Sequence, residues 1–191
     1  MYALRPVRVQ SREGFTRKAT YRSATFLLVA TAAAAVLSAQ STKGESRIAR
    51  EVRHELVTLP YYTLFDNLAY KVNGSTVILE GQVTNPVTKT NAEKAVKKIE
   101  GVENVVNNIE VLPLSPMDDQ IRRAMYRAIY SRPGLDMYSL RAVPTIHIIV
   151  KNGQVTLTGA VGNQADKATA GIVANSVPGV FSVTNDLIVS P

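Results

Sequence analysis

The 191-residue chain contains no cysteine. That absence excludes disulfides, thiolate metal sites, a cysteine nucleophile and lipid attachment through an N-terminal cysteine. Histidine is scarce too: His54 and His147 are the only two, too few for a multi-histidine metal site. His54 lies between Arg53 and Glu55 on a charged helix, where a solvated surface role is expected. His147 alternates with Ile146 and Ile148 in a strand, which places it on the opposite sheet face alongside Ile149, at a surface or inter-domain contact. Also missing are a Gly-x-Ser-x-Gly elbow, a phosphate-binding glycine loop and a Gly-x-Gly-x-x-Gly dinucleotide turn. Asp118 and Asp119 form the one carboxylate pair, and their place just before Ile121 suits capping of a helix and its dipole. No catalytic residue, no metal site and no cofactor follow from this inventory, and the expectation is a protein that is not an enzyme.

Acidic residues are missing from the N-terminal segment in particular. Residues 1–39 hold six bases (Arg5, Arg8, Arg12, Arg17, Lys18, Arg22) against Glu13 alone, a net +5 of the chain's +7. Residues 40–191 then carry 16 bases and 14 acids, a net +2. The basic pI therefore belongs to the leader, and a nucleic-acid partner is not expected of a nearly neutral body. After the basic stretch come the apolar run Phe26–Leu37 and the small residues Ser38 and Ala39, the order of a cleavable signal peptide. Residues 1–39 are accordingly expected to be a signal peptide, or an N-terminal anchor if uncleaved, directing the protein to the periplasm. The uncharged stretch Ser23–Thr42 is long enough to span a bilayer, but its many alanines make it weakly hydrophobic for a permanent span. A buried Ala-rich helix fits the basic flank less well.

What the body does have is a repeat. Shifted by 78 residues, 77–111 aligns with 155–189 with 12 identities in 35 positions, where roughly two would match by chance. Alternating Val77, Leu79 and Val83, and likewise Val155, Leu157 and Val161, predict a half-buried strand entered through Asn73-Gly74-Ser75 or Asn152-Gly153. Ala92, Ala95, Val96 and Ile99, matched by Ala170, Val173, Ala174 and Val177, predict a helix ending at Gly101 or Gly179. A third strand follows on Val105-Asn107-Ile109-Val111 or Val183-Asn185-Leu187-Val189. Upstream, Ile48, Val52 and Leu56, and Ile121, Met125, Ala128 and Ile129, mark one more amphipathic helix per copy.

The expected fold class is α+β: two tandem αββαβ domains, each a three-stranded sheet covered by two helices on one face. The domains are expected at 46–112 and 118–191, joined by a stiff linker at 113–117. Gly81 and Gly159 are expected to let a helix approach the sheet closely, and Gly101 and Gly179 to turn the chain out of a helix.

Val77-x-Leu79-x-Gly81-x-Val83 with Gly101-Val102-x-x-Val105-x-Asn107, and Val155-x-Leu157-x-Gly159-x-Val161 with Gly179-Val180-x-x-Val183-x-Asn185, resemble the BON (bacterial OsmY and nodulation) domain family. The resemblance covers about 46–191, and its double occurrence makes it specific. It implies bacterial envelope proteins that support envelope integrity or stress tolerance. It also implies phospholipid association in some members, in some through this second-domain helix, and chaperone-like protection of exported proteins in others.

The copies differ most in their first helices. In the first, Arg47, Arg50 and Arg53 are interleaved with Glu51 and Glu55, a self-neutralised face. In the second, 121–132 has no acid. Arg122, Arg123, Arg127 and Arg132 are candidates for lipid phosphates, and Tyr126 and Tyr130 for the interface between headgroups and chains. The main reading is thus a non-enzymatic exported protein that binds an anionic phospholipid membrane surface. Two alternatives stand beside it. One is a periplasmic holdase for unfolded proteins, with exposed apolar surface on the uncovered sheet faces; the other is an adaptor for envelope proteins, with Ile149 and His147 as hints. The cluster Pro60-Tyr61-Tyr62-Thr63-Leu64-Phe65 is aromatic enough for recognition, and its position between helix and strand suits closing a small core.

Overall fold

Helix-spaced apolar residues stopped by glycine, between runs of strict alternation, pack as that pattern requires. A computed structural model describes residues 44, 47–140 and 144–190; the expected signal peptide lies outside the described residues. The first module runs α1 (residues 47–57), β1 (Asn67–Asn73), β2 (Thr76–Val83), α2 (Pro86–Val96), β3 (Asn104–Asn107) and β4 (Glu110–Val111). The second repeats this order as α3 (Pro116–Tyr130), β5 (Ile146–Lys151), β6 (Gln154–Val161), α4 (Gln164–Asn175), β7 (Ser182–Asn185) and β8 (Ile188–Val189), with a short 3-10 helix (Asp136–Ser139) between α3 and β5. The α+β class and the doubled αββαβ order expected from the sequence are the architecture formed.

In each sheet the first strand is antiparallel to the central one, and the last runs parallel to it on the other side. The helices bury Ile48, Val52, Leu56, Ala92 and Val96 against Val77, Leu79 and Val83, and the second module builds the equivalent core from Ile121, Met125, Ile129, Ala170 and Leu157. Removing such side chains from water supplies about 1.5–3 kcal/mol each, the main drive for two small modules.

The last strand is interrupted, and its asparagine explains the break. Asn107 Nδ2 donates to the Lys89 carbonyl at 3.2 Å and to Glu93 Oε2 at 3.1 Å, while its Oδ1 accepts from the Ile109 N–H at 3.2 Å. Asn185 does the same with the Lys167 carbonyl and the Leu187 N–H. The side chain replaces ladder bonds and ties the strand to α2 or α4, so that Ile109 and Leu187 turn into their cores.

The close approach comes from β1 at Gly81 and from the residue just before β5 at Gly159, not from a helix as expected. A Cβ on Gly81 would stand 2.0 Å from the Asn67 backbone oxygen, and one on Gly159 2.0 Å from that of Thr145, at φ of +115° and +109°. Close packing of helix on sheet is served instead by the fully buried Ala92 and Ala170, and by Gly171 against Asn185. Gly101 and Gly179 do leave their helices at positive φ, and Val102 and Val180 behind them pack on the two cores.

Between the modules, α3 begins at Pro116, inside the expected linker 113–117. Its cap is Ser115, whose side chain accepts from the Asp118 N–H at 3.2 Å. Asp118 is not the cap: fully buried, its carboxylate accepts from the Asn152 and Gly153 N–H groups at 2.9 and 2.8 Å, stapling the β5–β6 turn to α3.

The cleft between the open sheet faces is polar, while Val106 of β3 stands exposed on the first module's face. Asn67, Gln82, Gln154, Thr156 and Thr158 line a cleft of about 320 Å³, across which Lys151 pairs with Glu110 at 2.5 Å. Ile149 is buried there and offers no adaptor surface.

Candidate functional site

The loop between α1 and β1 crosses to the other module. Asp66, fully buried, fixes it. One carboxylate oxygen accepts from the N–H and hydroxyl of Thr63, at 2.9 and 3.0 Å, and the other from the N–H and hydroxyl of Thr84, at 2.6 and 2.9 Å. Held this way, the loop presents its Leu64 carbonyl to the Ile148 N–H on the outer edge of β5, at 2.8 Å. Leu64 and Phe65 then pack on the second module's core. The aromatic cluster thus closes a core, as its position suggests, but the core is the neighbour's. Covering the β5 edge also removes an exposed strand edge, which otherwise invites aggregation.

His147 sits at this crossing, an inter-domain contact as its alternation suggests. Its ring lies 5.7 Å from that of Tyr62, and burial holds its pKa below the ordinary imidazole value, against the opposing pull of Asp66. Burial, with Asp66 nearby, also pushes the Tyr62 hydroxyl up to about 12. His54 is exposed on α1.

Beside the loop, α3 divides the six residues singled out on it. Arg122 is buried: its guanidinium donates to the Val150 carbonyl at 2.6 Å and pairs with Asp119 at 2.6 Å. The acid that neutralises it lies just before the acid-free stretch 121–132, one helical turn away. Tyr130 is buried as well, its hydroxyl donating to the Ile146 carbonyl at 2.7 Å, and burial with Tyr126 close by raises its pKa. Neither can reach a headgroup, and both leave the candidate lipid contact as a correction. Each follows the buried flank of α3, beside Ile121 and Ile129, where a long polar side chain must find a backbone partner.

Arg123, Tyr126, Arg127 and Arg132 are exposed. Among the described residues no carboxylate pairs with the three arginines. The tyrosine ring leans on Tyr130, centroids 5.1 Å apart. Arg123, Tyr126 and Arg127 line an open groove of about 520 Å³ whose other wall is Leu64 and Phe65. Cations at the rim and apolar side chains inside are the chemistry of an anionic amphiphile. Charge and periodicity pointed to the helix; the wall supplied by the first module had no signal in sequence beyond the aromatic cluster itself.

Among the described residues no three histidine or acidic side chains converge as a metal site, and no helix is long and apolar enough to cross a membrane.

A family model described as BON domain matches residues 44–113 and again 118–191. No curated protein matches the chain. Among solved structures, the chain is similar to CdsD, a structural protein of the Type III secretion system of Chlamydia trachomatis. Identity is 15%, the alignment covers 76% of this chain and 93% of that one, and the TM-score is 0.30. The C-terminal domain of the same protein aligns at 15% identity over 74% and 96% of the two chains, with a TM-score of 0.26.

Proposed function

The chain belongs to the BON domain family, carrying two copies, and from that premise we propose that it is a non-enzymatic envelope protein that docks on anionic phospholipid surfaces through the second module. One observation carries this reading: Arg123, Arg127 and Arg132 stand exposed without carboxylate partners among the described residues, and the first two rim an apolar groove. Guanidinium pairs with lipid phosphate in bidentate geometry, and Tyr126 suits the boundary between headgroups and chains. Each basic side chain near a charged leaflet contributes about 1 kcal/mol. Three therefore give weak, salt-sensitive and reversible attachment, consistent with a peripheral role in envelope integrity or stress tolerance. The basic and apolar leader supports export to the periplasm.

The test is flotation of residues 40–191 with neutral and with anionic vesicles. Recovery with anionic vesicles only, lost when Arg123→Glu and Arg127→Glu are combined, is the expected result; equal recovery of the variant refutes the patch.

An adaptor reading is favoured by a separate observation. On the outer edge of the second module Ile172, Phe181 and Ile188 are 70%, 82% and 67% exposed, at positions where the first copy has Lys94, Glu103 and Glu110. An apolar edge of this kind suits a protein partner. Capture of an envelope protein by the wild type but not by Phe181→Glu would support it.

A further inference from the structure

The second module buries the apolar side of its edge strand; the first does not. The shared register matches Leu68, Tyr70 and Val72 of β1 to Ile146, Ile148 and Val150 of β5, each trio facing the same repeat positions of the central strand. The β5 residues are fully buried, whereas those of β1 are only partly so. The difference is Leu64 and Phe65, which cross from the first module and cover β5 beside α3. At the equivalent place in the first module, between α1 and β1, is an open groove of about 220 Å³ lined by Arg53, Leu56, Val57, Leu68 and Tyr70, with Tyr62 of the module's own loop beside them. Its backbone is also prepared. The Leu79 carbonyl opposite Tyr70 is taken by the Asn108 N–H, so the Tyr70 N–H points out of the ladder, as that of Ile148 does towards Leu64.

The complementary half is left over on the second module. The segment after α3 corresponds to the crossing loop after α1, and it displays Met137 and Leu140 at 58% and 84% exposure. Met137 follows Ile121 by 16 residues, as Leu64 follows Ile48. Charge agrees: Arg53 on the groove wall has no carboxylate partner among the described residues, and Asp136 precedes Met137.

We propose that the open α1–β1 groove is filled by a second copy of this chain, whose Met137 and Leu140 dock there and repeat between molecules the contact that joins the two modules within one. Donor and acceptor are different surfaces, so the contact is heterologous, and association runs head to tail, open-ended unless a ring closes. The two halves are the unused ends of a repeat whose internal interface is already made, as in stacked-repeat proteins. No part of this rests on lipid binding.

Sedimentation equilibrium of the full chain at rising concentration, without lipid, tests it. The wild type is set beside a donor variant (Met137→Asp with Leu140→Asp), an acceptor variant (Val57→Glu) and their equimolar mixture. All the altered side chains are exposed, and circular dichroism checks that folding is retained. The wild-type mass is expected to climb above the monomer, each variant alone to stay monomeric at the same concentrations, and the mixture to reach a dimer and stop, because one good contact survives between unlike partners. A wild type that stays monomeric overturns the proposal, as does a variant that assembles like the wild type or a mixture that does not pair.

Discussion

Arg122 and Arg123 stand about 100° apart around α3, and that rotation decides what each guanidinium meets. Arg122 turns inward to the Val150 carbonyl and Asp119, so Arg122→Ala is expected to cost about 2–3 kcal/mol by stranding a buried carbonyl and losing a charged hydrogen bond. A lowered urea midpoint, with vesicle recovery unchanged while the protein is folded, checks this; Arg123→Glu should do the reverse. His147 adds a pH dependence of known sign. Burial lowers its folded-state pKa below the unfolded value near 6.5, so the unfolded chain binds the proton more readily. Stability from neutral His147 is complete above about 6.5 and is lost as pH falls from there towards the lower folded value. Urea midpoints measured between pH 7.5 and 5 are expected to drop more steeply for the wild type than for His147→Phe; parallel slopes would remove the histidine from this role.

At the scale of elements, the crossing loop and the glycine kinks bear most of the consequence. Asp66→Ala leaves the Thr63 and Thr84 donors without their acceptor. It should loosen Leu64 and Phe65 from β5, raising amide exchange at Ile148 well before the rest of the second module. Gly159→Ala places a methyl 2.0 Å from the Thr145 backbone oxygen at a φ of +109°, and a loss of at least about 2 kcal/mol in urea unfolding is expected. Strands, helices and turning glycines were legible in the sequence because each is specified within a few residues: Val77, Leu79 and Val83 alternate, and Ala92, Val96 and Ile99 follow helical spacing. The close neighbour of Gly159 was not, since the need for glycine is local but the atom that imposes it lies 14 residues earlier, just before β5. Leu64 and Phe65 were legible as core formers, but their core is built from residues some 60 to 120 positions further on, beyond any periodicity. On α3 the pattern gave the buried stripe through Ile121, Met125 and Ile129, but not the fate of its flanks, where Arg122 and Tyr130 reach backbone carbonyls of β5.

For the whole molecule, the two modules act as one body because the first completes the second. The core of the second includes Leu64 and Phe65, its β5 edge is capped by the Leu64 carbonyl, and Lys151 reaches Glu110 across the open sheet faces. The groove proposed to face lipid is therefore a property of the pair, with cations from α3 and an apolar wall from the α1–β1 loop. The measurement that tests this most directly is the amide spectrum of isotopically labelled 40–191 with anionic lipid discs at low salt. Broadening is expected to gather on Arg123, Tyr126, Arg127 and Arg132 together with Leu64 and Phe65, and to reverse when salt is raised. Broadening centred on α1 or on the β7–β8 edge, or none at any salt, would contradict the assignment of this groove as the membrane-facing surface.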